Sequence, residues 1–399
     1  RILLPRPLAW QSDVIRTAKR FNVVCVGRRA GKTVLGLDRC ADPAVLSYPV
    51  AWFSPTYKML LEVWREAVRM FAPITARRSS QERRIEFVTG GLLEFWSLDN
   101  PDVARGRKYR RVIVDEAAMV PALMDAWQYA IRPTLADYNG DAWFLSTPKG
   151  RNGFWQMWQR GQDAGYPDWQ SWQMPSSVNP RLAQAELDEM RLTMPERVHS
   201  QEILARFLED GSGVFRGVRA AATAEPQTAR INGHAYCIGL DFARSEDFTV
   251  AIVLDVTLMS VVAMDRFNQI DYHIQVGRVQ ALADRFKPSA IIAESNSVGT
   301  PVIEQMRRMG LPVIPFTTTN ASKQIAIDAL ALAFERGTLR ILPDEVLIGE
   351  LEAYSMERLP SGMLRYGAPD NGHDDTVMAL AFAYSGASKT GRRARVGEY

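Results

Sequence analysis

The sequence contains few cysteines and no long apolar run. Its 399 residues include three cysteines, Cys25, Cys40 and Cys237, none of them in a CxxC pair, which argues against a disulfide framework and a structural zinc site. No stretch of about 18 uncharged apolar residues occurs, because the best candidate, residues 250–264, contains Asp255, and the first residues lack a signal-peptide pattern. Membrane-spanning and disulfide-rich secreted classes are therefore excluded, and we expect a soluble protein of a reducing cytosol.

Net charge gives little evidence of function. The formal charge of +3 permits contact with nucleic acid but is too small to predict it alone. With 47% hydrophobic and 23% charged residues, the composition is ordinary for a globular protein, and the length suits two domains with separate cores. No repeat of fixed period is present, and the only biased segment is the basic tail, residues 388–399.

The order of predicted elements indicates two α/β domains. Residues 21–147 alternate β-branched runs with helical patterns, which predicts a mostly parallel sheet. Residues 179–207 have the apolar spacing of a helix, with Leu182, Leu187, Met190 and Leu192 expected on one buried face. Residues 211–232 are rich in Gly, Ala, Thr, Pro and Arg and predict a linker, so we expect domains over residues 1–210 and 233–399.

The second domain differs from the first in the order of its strands. Three strands precede its first helix, which predicts antiparallel hairpins leading into parallel strands. The predicted strands are NVVCV, VAWFS, RRIEFV, LLEFWS, RVIVD and AWFLS in the first domain, and AYCIGLDFA, FTVAIVLDV, LMSVVAMDRF, SAIIAES and LPVIPF in the second. The predicted helices of the second domain cover residues 271–285, begin at Thr300, and cover residues 321–336 and 375–384.

The segment VVCVGRRAGKT reads as an apolar strand, a turn and the start of a helix. In that context the N–H groups of the loop and of the helix N-terminus face a phosphate, Lys32 supplies positive charge and the Thr33 hydroxyl ligates Mg²⁺. The common pattern would place Gly at Val26, so the GKT alone leaves nucleotide binding open. The predicted nucleotide-binding residues of the loop are Gly27, Arg28, Arg29, Ala30, Gly31, Lys32 and Thr33.

The segment RRVIVDEA supplies the second half of a nucleotide-hydrolysing site. An apolar strand closes on Asp115 and Glu116, which suits a Mg²⁺-coordinating Asp followed by a carboxylate that orients the attacking water. The alternative is a surface acidic pair after a core strand. Because both halves occur in this order, ATP hydrolysis is the favoured interpretation.

Carboxylates also stand at element ends in the second domain. Asp241 and Glu294 each close an apolar strand, and Asp374 and Asp375 precede a helix rich in alanine. Such an order brings carboxylates from distant segments together, and two divalent ions about 4 Å apart could then clamp a phosphodiester. The sequence does not decide which of Asp374 and Asp375 is the main ligand.

These motifs, in this order, resemble the large terminase subunits of tailed bacteriophages and prophages. The variant loop GRRAGKT, IVDEA, the STP of residues 146–148 and the final HDD carry the resemblance, which covers nearly the whole chain. It implies a P-loop NTPase domain followed by a ribonuclease H-like mixed α/β nuclease domain. By the same resemblance Gln11 reads adenine, Arg28 reaches the γ-phosphate and residues 146–148 couple hydrolysis to movement.

The resemblance also implies function and partners. ATP hydrolysis would drive double-stranded DNA into a procapsid, and a two-metal endonuclease would cut concatemeric DNA into genome units. The cofactors would be ATP, Mg²⁺ at the ATPase site and two Mg²⁺ or Mn²⁺ at the nuclease site. The partners would be double-stranded DNA, a portal protein, a small terminase subunit and further copies in a ring, expected to be a pentamer, in the host bacterial cytoplasm; the state in solution, monomer or otherwise, stays open.

Several residues keep alternative interpretations. Glu116, Arg28, Asp241, Glu294 and Asp375 are the predicted catalytic residues, although Arg28 or Arg29 could bind DNA phosphate or face solvent instead. Four further positions have two interpretations each: Asp247 as metal ligand or turn residue, His373 as ligand contact or helix cap, Lys323 as DNA contact or solvated first turn, and Arg105 as an arginine offered to a neighbouring subunit or part of a basic turn.

Two alternatives concern the whole chain and one concerns its aromatic residues. The first alternative is a nucleic-acid-remodelling ATPase fused to a repair or junction-resolving nuclease, which would use the same ATPase and nuclease chemistry. The second is an assembly protein in which one or both sites have decayed. The intact carboxylates disfavour the second alternative. The Trp and Phe residues over 143–172 favour core packing over a base-stacking platform.

Overall fold

Two sheets organise the chain, each in its own compact unit. The computed structural model describes residues 4–208, 213–242, 248–295, 299–358, 364–368 and 373–396. The first unit is built mainly on Arg1–Leu192 and Arg197–Asp210, and the second mainly on Gly211–Glu357 and Leu364–Tyr399. None of the helices within the described ranges is both long and apolar enough to span a bilayer.

The first unit contains an eight-stranded sheet in the order β3-β4-β5-β2-β6-β7-β1-β8. Its strands are β1 (Phe21–Val26), β2 (Pro49–Ser54), β3 (Thr75–Ser79), β4 (Arg84–Phe87), β5 (Leu92–Ser97), β6 (Arg111–Asp115), β7 (Asp141–Ser146) and β8 (Trp169–Met174). The helices in this part of the chain are α1 (Ala9–Arg16), α2 (Lys32–Val45), α3 (Tyr57–Phe71), α4 (Leu123–Asp125), α5 (Gly153–Gln162), α6 (Gln184–Thr193) and α7 (Glu196–Glu202). Each pair from β5 through β2, β6, β7 and β1 to β8 is parallel, whereas β4 pairs antiparallel with both of its neighbours, β3 and β5, so the prediction of a mostly parallel sheet is confirmed.

Strand β1 shows why this sheet is covered on both faces. All six of its residues are buried, as expected for a central parallel strand. Val24 and Val26 pack into a core with α2 and α3, whereas Val23 and Cys25 pack into the core on the opposite face. The carboxyl ends of β1, β6 and β7 lie side by side, which places the loop after β1 next to Asp115 and Ser146.

Two predictions for the first unit need correction. The helix predicted over residues 179–207 is wrong as a single element, because α6 ends at Thr193 and α7 begins only after Pro195, whose ring cannot continue the preceding helix. Leu192, expected on the buried face, is 66% exposed. Strand β8 was not predicted, although core packing of the aromatic cluster is confirmed by the burial of Trp143 and Trp169.

The second unit contains a five-stranded sheet in the order β11-β10-β9-β12-β13 and a two-stranded hairpin. Its strands are β9 (Tyr236–Asp241), β10 (Thr249–Asp255), β11 (Ser260–Phe267), β12 (Ala290–Glu294), β13 (Val313–Phe316), β14 (Ser355–Arg358) and β15 (Leu364–Gly367). Its helices are α8 (Val218–Ala221), α9 (Tyr272–Phe286), α10 (Gly299–Arg308), α11 (Asn320–Glu335), α12 (Glu345–Ala353) and α13 (Asp375–Val396). The first three strands are antiparallel and β12 and β13 join in parallel, which confirms the predicted switch.

Helix α13 lies directly on β9 because both elements have glycine at the contact. A Cβ on Gly239 would lie 1.9 Å from the carbonyl oxygen of Ala379, and one on Gly386 would lie 2.3 Å from Cys237 Sγ. The early turns of the helix therefore meet the later residues of the strand. This antiparallel arrangement brings the start of α13 to the end of β9.

Residues 213–232 form part of the second unit's core. Apart from α8 they have little regular structure, as the linker prediction implied. Val214, Phe215 and Val218 are nevertheless buried against α11, α12 and α13. The segment is therefore packed over its first residues and is not a free connection.

Candidate functional site

The loop between β1 and α2 is shaped by glycine at two positions. Gly31 precedes α2 with φ of 104°, a left-handed conformation that favours glycine. A Cβ on Gly27 would lie 2.3 Å from Ser176 Oγ and 2.4 Å from the carbonyl oxygen of Ile203. Position 27 thus requires glycine in this chain, one residue after the place where the common pattern has its first glycine.

Gln11 joins helix α1 to the end of this loop. Its amide nitrogen donates to the carbonyl oxygen of Gly31 at 3.0 Å, and its amide oxygen accepts from Leu8 N at 2.7 Å. The side chain is buried. The structure therefore brings Gln11 to the loop, and its role toward adenine stays a prediction.

The two arginines of the loop contact residues far along the chain. Arg28 Nε lies 2.5 Å from Glu202 Oε2 in an ion pair whose arginine side chain is 65% exposed, and Arg28 N donates to Glu202 O. The carbonyl oxygen of Arg29 accepts from Asn179 Nδ2 at 2.7 Å. Glu202, the last residue of α7, and Asn179, which precedes α6, therefore both bind the loop.

Lys32, Asp115 and Glu116 converge beside the loop. Lys32 Nζ lies 3.9 Å from Glu116 Oε1, and Asp115 Oδ1 is buried without a hydrogen-bond partner. Burial first, and then the negative charge of Glu116, raises the pKa of Asp115 to about 7, against the opposing effect of Lys32. A buried carboxylate oxygen left unpaired beside a phosphate loop fits Mg²⁺, which prefers hard oxygen ligands.

Ser146 connects this site to the neighbouring strand β7. Its hydroxyl donates to Glu116 Oε2 at 3.3 Å and accepts from Ala118 N at 3.2 Å. Thr33, the second residue of α2, is half-buried at the same loop. The serine of the STP segment therefore touches the carboxylate predicted to orient water.

The basic turn before β6 is mostly engaged within the first unit. Four of its cations contact acidic side chains or a carbonyl: Arg107 with Glu94, Lys108 with Asp137, Arg110 with Asn139 O and Arg111 with Asp141. Arg105 likewise pairs with an acidic side chain, Asp102, at 2.7 Å on the surface, where both side chains are 63% exposed. These contacts lie within the first unit, and the two interpretations of Arg105, as an arginine offered to a neighbouring subunit or as part of a basic turn, both stay predictions.

A second site lies where β9, β12 and α13 meet. Asp241 ends β9, Glu294 ends the neighbouring parallel strand β12, and Asp375 begins α13. Burial, followed by the negative charges of Glu294, Asp375 and Asp374, raises the pKa of Asp241 well above its usual value, and Lys323 opposes this. The structure thus brings four of the predicted carboxylates into one electrostatic cluster.

The Asp pair is held by three different contacts. Lys323 Nζ lies 3.0 Å from Asp374 Oδ2, so Lys323 is not a solvated residue of a first helical turn. Asp375 Oδ2 accepts from Phe248 N at 3.4 Å and lies 3.8 Å from His373 Nδ1. Asp247 lies outside the described residues.

Oxygen ligands dominate this cluster and suit a divalent cation. Four carboxylates face one lysine, which leaves an excess of negative charge in a partly buried place, and hard cations such as Mg²⁺ and Mn²⁺ prefer such ligands. Within the described part of the chain, no three Asp, Glu, His or Cys side chains converge closely enough to hold one ion as they stand.

Comparison with known proteins identifies the family. Residues 238–386 match the family described as terminase RNaseH-like domain. The large terminase subunit of Thermus virus P23-45 is 33% identical to this chain over 95% of its length and 87% of the relative's. The chain belongs to the large terminase subunits.

Structures of the same family agree in fold. The structure of a large terminase from another thermophilic bacteriophage matches with a TM-score of 0.62 at 13% identity, over 95% of this chain and 99% of that one. The same protein in complex with ADP matches with a TM-score of 0.59 at 14% identity, over 94% and 98% of the two chains. The predicted fold class is confirmed: this large terminase has a P-loop NTPase fold with a mostly parallel sheet, followed by a ribonuclease H-like nuclease domain.

Family membership decides against the fusion of a remodelling ATPase to a repair nuclease. It does not assign individual residues, and the roles predicted for this large terminase's site residues stay predictions. Glu202, Ser176 and Ile203 are neighbours of the phosphate loop that were not predicted from the sequence. No local signal marks them, because each meets the loop only through the fold.

Proposed function

We propose that this large terminase hydrolyses ATP in residues 1–210 to move double-stranded DNA into a procapsid, and cuts concatemeric DNA with residues 233–399. The observation that carries the proposal is the convergence of Lys32, Asp115 and Glu116 at the phosphate loop. The carboxylate cluster around Asp241 supports the nuclease half.

In the proposed ATPase site each group has one task. The loop N–H groups and Lys32 would neutralise phosphate charge, and Thr33 and Asp115 would hold Mg²⁺, which would offset the charge that develops during hydrolysis. Glu116 accepts a hydrogen bond from the attacking water. Arg28 would reach the γ-phosphate after its exposed ion pair with Glu202 opens.

Contacts beyond Glu116 suggest how hydrolysis would be coupled to movement. Ser146 bridges Glu116 and Ala118 N. Asn152 Nδ2 donates to the carbonyl oxygen of Ala118 at 2.7 Å, and the Asn152 side chain also caps α5 by accepting from Phe154 N. A change at Glu116 would therefore be transmitted through the segment after β7 to helix α5.

In the proposed nuclease site the carboxylates work as a set. Asp241, Glu294, Asp374 and Asp375 would hold two Mg²⁺ or Mn²⁺ ions, whose charge would lower the pKa of a water molecule and stabilise the negative charge that develops on the phosphodiester. The resemblance adds Asp247 to this set. Because burial and neighbouring charges favour protonated Asp241, cation binding and its ionisation are expected to be coupled.

The proposal includes the partners implied by the family. Translocation requires several copies, expected as a pentameric ring, on the portal protein of a procapsid in the host bacterial cytoplasm. A small terminase subunit would recognise the packaging site. The ADP complex of the thermophilic phage relative supports nucleotide binding by the corresponding loop of this chain.

Two single substitutions separate the two activities. Glu116→Gln is expected to bind ATP but to abolish its hydrolysis, while plasmid cleavage with Mn²⁺ or Mg²⁺ continues. Asp241→Asn is expected to abolish cleavage and to leave ATP turnover intact, and EDTA should stop cleavage by the wild type. Undiminished turnover in the first variant, or undiminished cutting in the second, would remove that residue from its proposed role.

A further inference from the structure

Glu350 in α12 anchors the first turn of α13. Its Oε2 accepts from Thr376 N at 2.9 Å and from Thr376 Oγ1 at 2.6 Å. Its other oxygen, Oε1, lies 3.8 Å from Arg266 Nη2 on strand β11. One carboxylate therefore joins three elements of the second unit at the point where α13 begins.

The environment of Glu350 makes this anchor strong. Its side chain is only 10% exposed, and Thr376 is fully buried. A buried carboxylate requires donors, and here it receives a main-chain N–H of a helix N-terminus, where negative charge is favoured, together with a hydroxyl and a nearby guanidinium. Both Thr376 groups donate, so the accepting carboxylate matches them.

The anchor reaches Asp375 by two routes. Thr376 directly follows Asp375, so holding Thr376 N and Oγ1 fixes the rotation of the turn that carries the Asp pair. Arg266 also lies 3.3 Å over the centre of the Phe248 ring, and Phe248 N donates to Asp375 Oδ2. Glycine contacts set the distance between α13 and β9, whereas Glu350 sets the orientation of the first turn.

We propose that Glu350 is a positioning residue for the metal-binding carboxylates of the nuclease site. It acts through Thr376, and through Arg266 and Phe248, and orients Asp374 and Asp375 toward Asp241. The inference rests on the proposed function of these aspartates as metal ligands. Partners one step removed from a ligand typically change metal affinity by about 10–100-fold.

The test is calorimetric titration of the purified full-length chain with Mn²⁺, well below its melting temperature. Glu350→Ala is expected to weaken Mn²⁺ binding by about ten-fold or more. Glu350→Gln keeps an accepting oxygen and should recover most of the affinity. Thr376→Val removes the hydroxyl but keeps the N–H, so its loss should be smaller than that of Glu350→Ala.

A matched control separates positioning from stability. Ile348 lies buried on the same helix, and Ile348→Val should lower the melting temperature without changing Mn²⁺ affinity. If Glu350→Ala melts earlier but binds Mn²⁺ as tightly as the wild type, Glu350 is only structural and the inference is overturned. If Glu350→Ala does not fold, Thr376→Val decides, because wild-type Mn²⁺ affinity in Thr376→Val would also overturn the inference.

The same titration distinguishes failure of the inference from failure of the proposed function. Wild-type chain and Asp241→Asn are titrated in parallel, and Asp241→Asn should bind Mn²⁺ more weakly. If the wild type binds no Mn²⁺, the metal site itself is refuted, and the positioning role with it. If the wild type binds Mn²⁺, Asp241→Asn binds it more weakly, and the Glu350 and Thr376 variants bind it as tightly as the wild type, the metal site stands. The positioning role alone is then refuted.

Discussion

The hydroxyl of Ser146 donates to Glu116 Oε2 across 3.3 Å, from the end of one strand to the residue after another. A hydrogen bond to a charged group contributes about 1.5–3 kcal/mol, and Ser146→Ala removes it. We expect ATP turnover to fall by about ten-fold or more, with nucleotide affinity unchanged. Ser146→Thr keeps the hydroxyl and serves as control; equal turnover in Ser146→Ala would show that the contact does not orient Glu116.

The buried carboxyl of Asp115 predicts a pH-dependent stability without nucleotide or metal. Its pKa is raised to about 7 from an ordinary value of 3.8, so the folded chain favours the protonated form. The contribution of Asp115 to the free energy of unfolding is therefore greatest below its ordinary pKa and is lost as pH rises through about 7. Relative to Asp115→Asn, the wild type should lose about 3 kcal/mol between pH 5 and pH 8. Denaturant unfolding at both pH values measures this, and parallel pH profiles would contradict it.

Close packing at Gly239 predicts a large effect of a single methyl group. In Gly239→Ala the new Cβ would meet the Ala379 carbonyl oxygen at 1.9 Å, so α13 must move away from β9. We expect a loss of about 1–3 kcal/mol or more and a fall in metal-dependent cleavage, since Asp241 and Asp375 would separate. Gly277→Ala is the control: it meets nothing within 4 Å in helix α9 and should be neutral or slightly stabilising. Thermal melts and plasmid cleavage would measure both, and wild-type cleavage by Gly239→Ala would refute the link.

The surface position of Arg105 predicts an effect confined to the assembled motor. Arg105→Ala removes an exposed ion pair with Asp102, which contributes at most about 1 kcal/mol. If Arg105 serves the neighbouring subunit's nucleotide, turnover on procapsids with DNA should fall by about a thousand-fold, while the isolated chain keeps its stability and basal turnover. Normal turnover on procapsids would leave Arg105 as a surface residue.

Strongly patterned elements of the fold could be predicted from the sequence. The strand FNVVCV is buried on both faces, and a continuous apolar run of that kind is the mark of a central parallel strand. Strand β8 was missed because the tryptophans of WQSWQM stand three residues apart, so this edge strand lacks the alternation of apolar and polar residues that predicts a strand. Trp169 packs on one face of the sheet and Trp172 on the other, and both were predicted only as core aromatic residues.

Site residues divide in the same way. Lys32, Asp115 and Asp241 are visible because each ends or begins a patterned element. Glu202 and Glu350 could not be predicted, because neither is the only acidic residue of its short helix. The role of each depends on a partner over 25 residues away in the chain. The break between α6 and α7 was foreseeable from Pro195, which the apolar spacing of residues 179–207 outweighed in the prediction.

The crowding at Gly27 has a consequence for how this loop can vary. Its neighbours Ser176 and Ile203 come from segments far downstream in the chain. Substitutions at the first position of the phosphate loop and in these later segments are therefore expected to occur together. A larger residue at position 27 requires the backbone near Ser176 and Ile203 to move away. If the heptapeptide GRRAGKT were grafted into another large terminase without that backbone, the sequence of the loop would be transferred but its conformation would not. Whether a phosphate loop can be exchanged between relatives should therefore depend on the loop together with the downstream segments that contact it, and not on the loop motif alone.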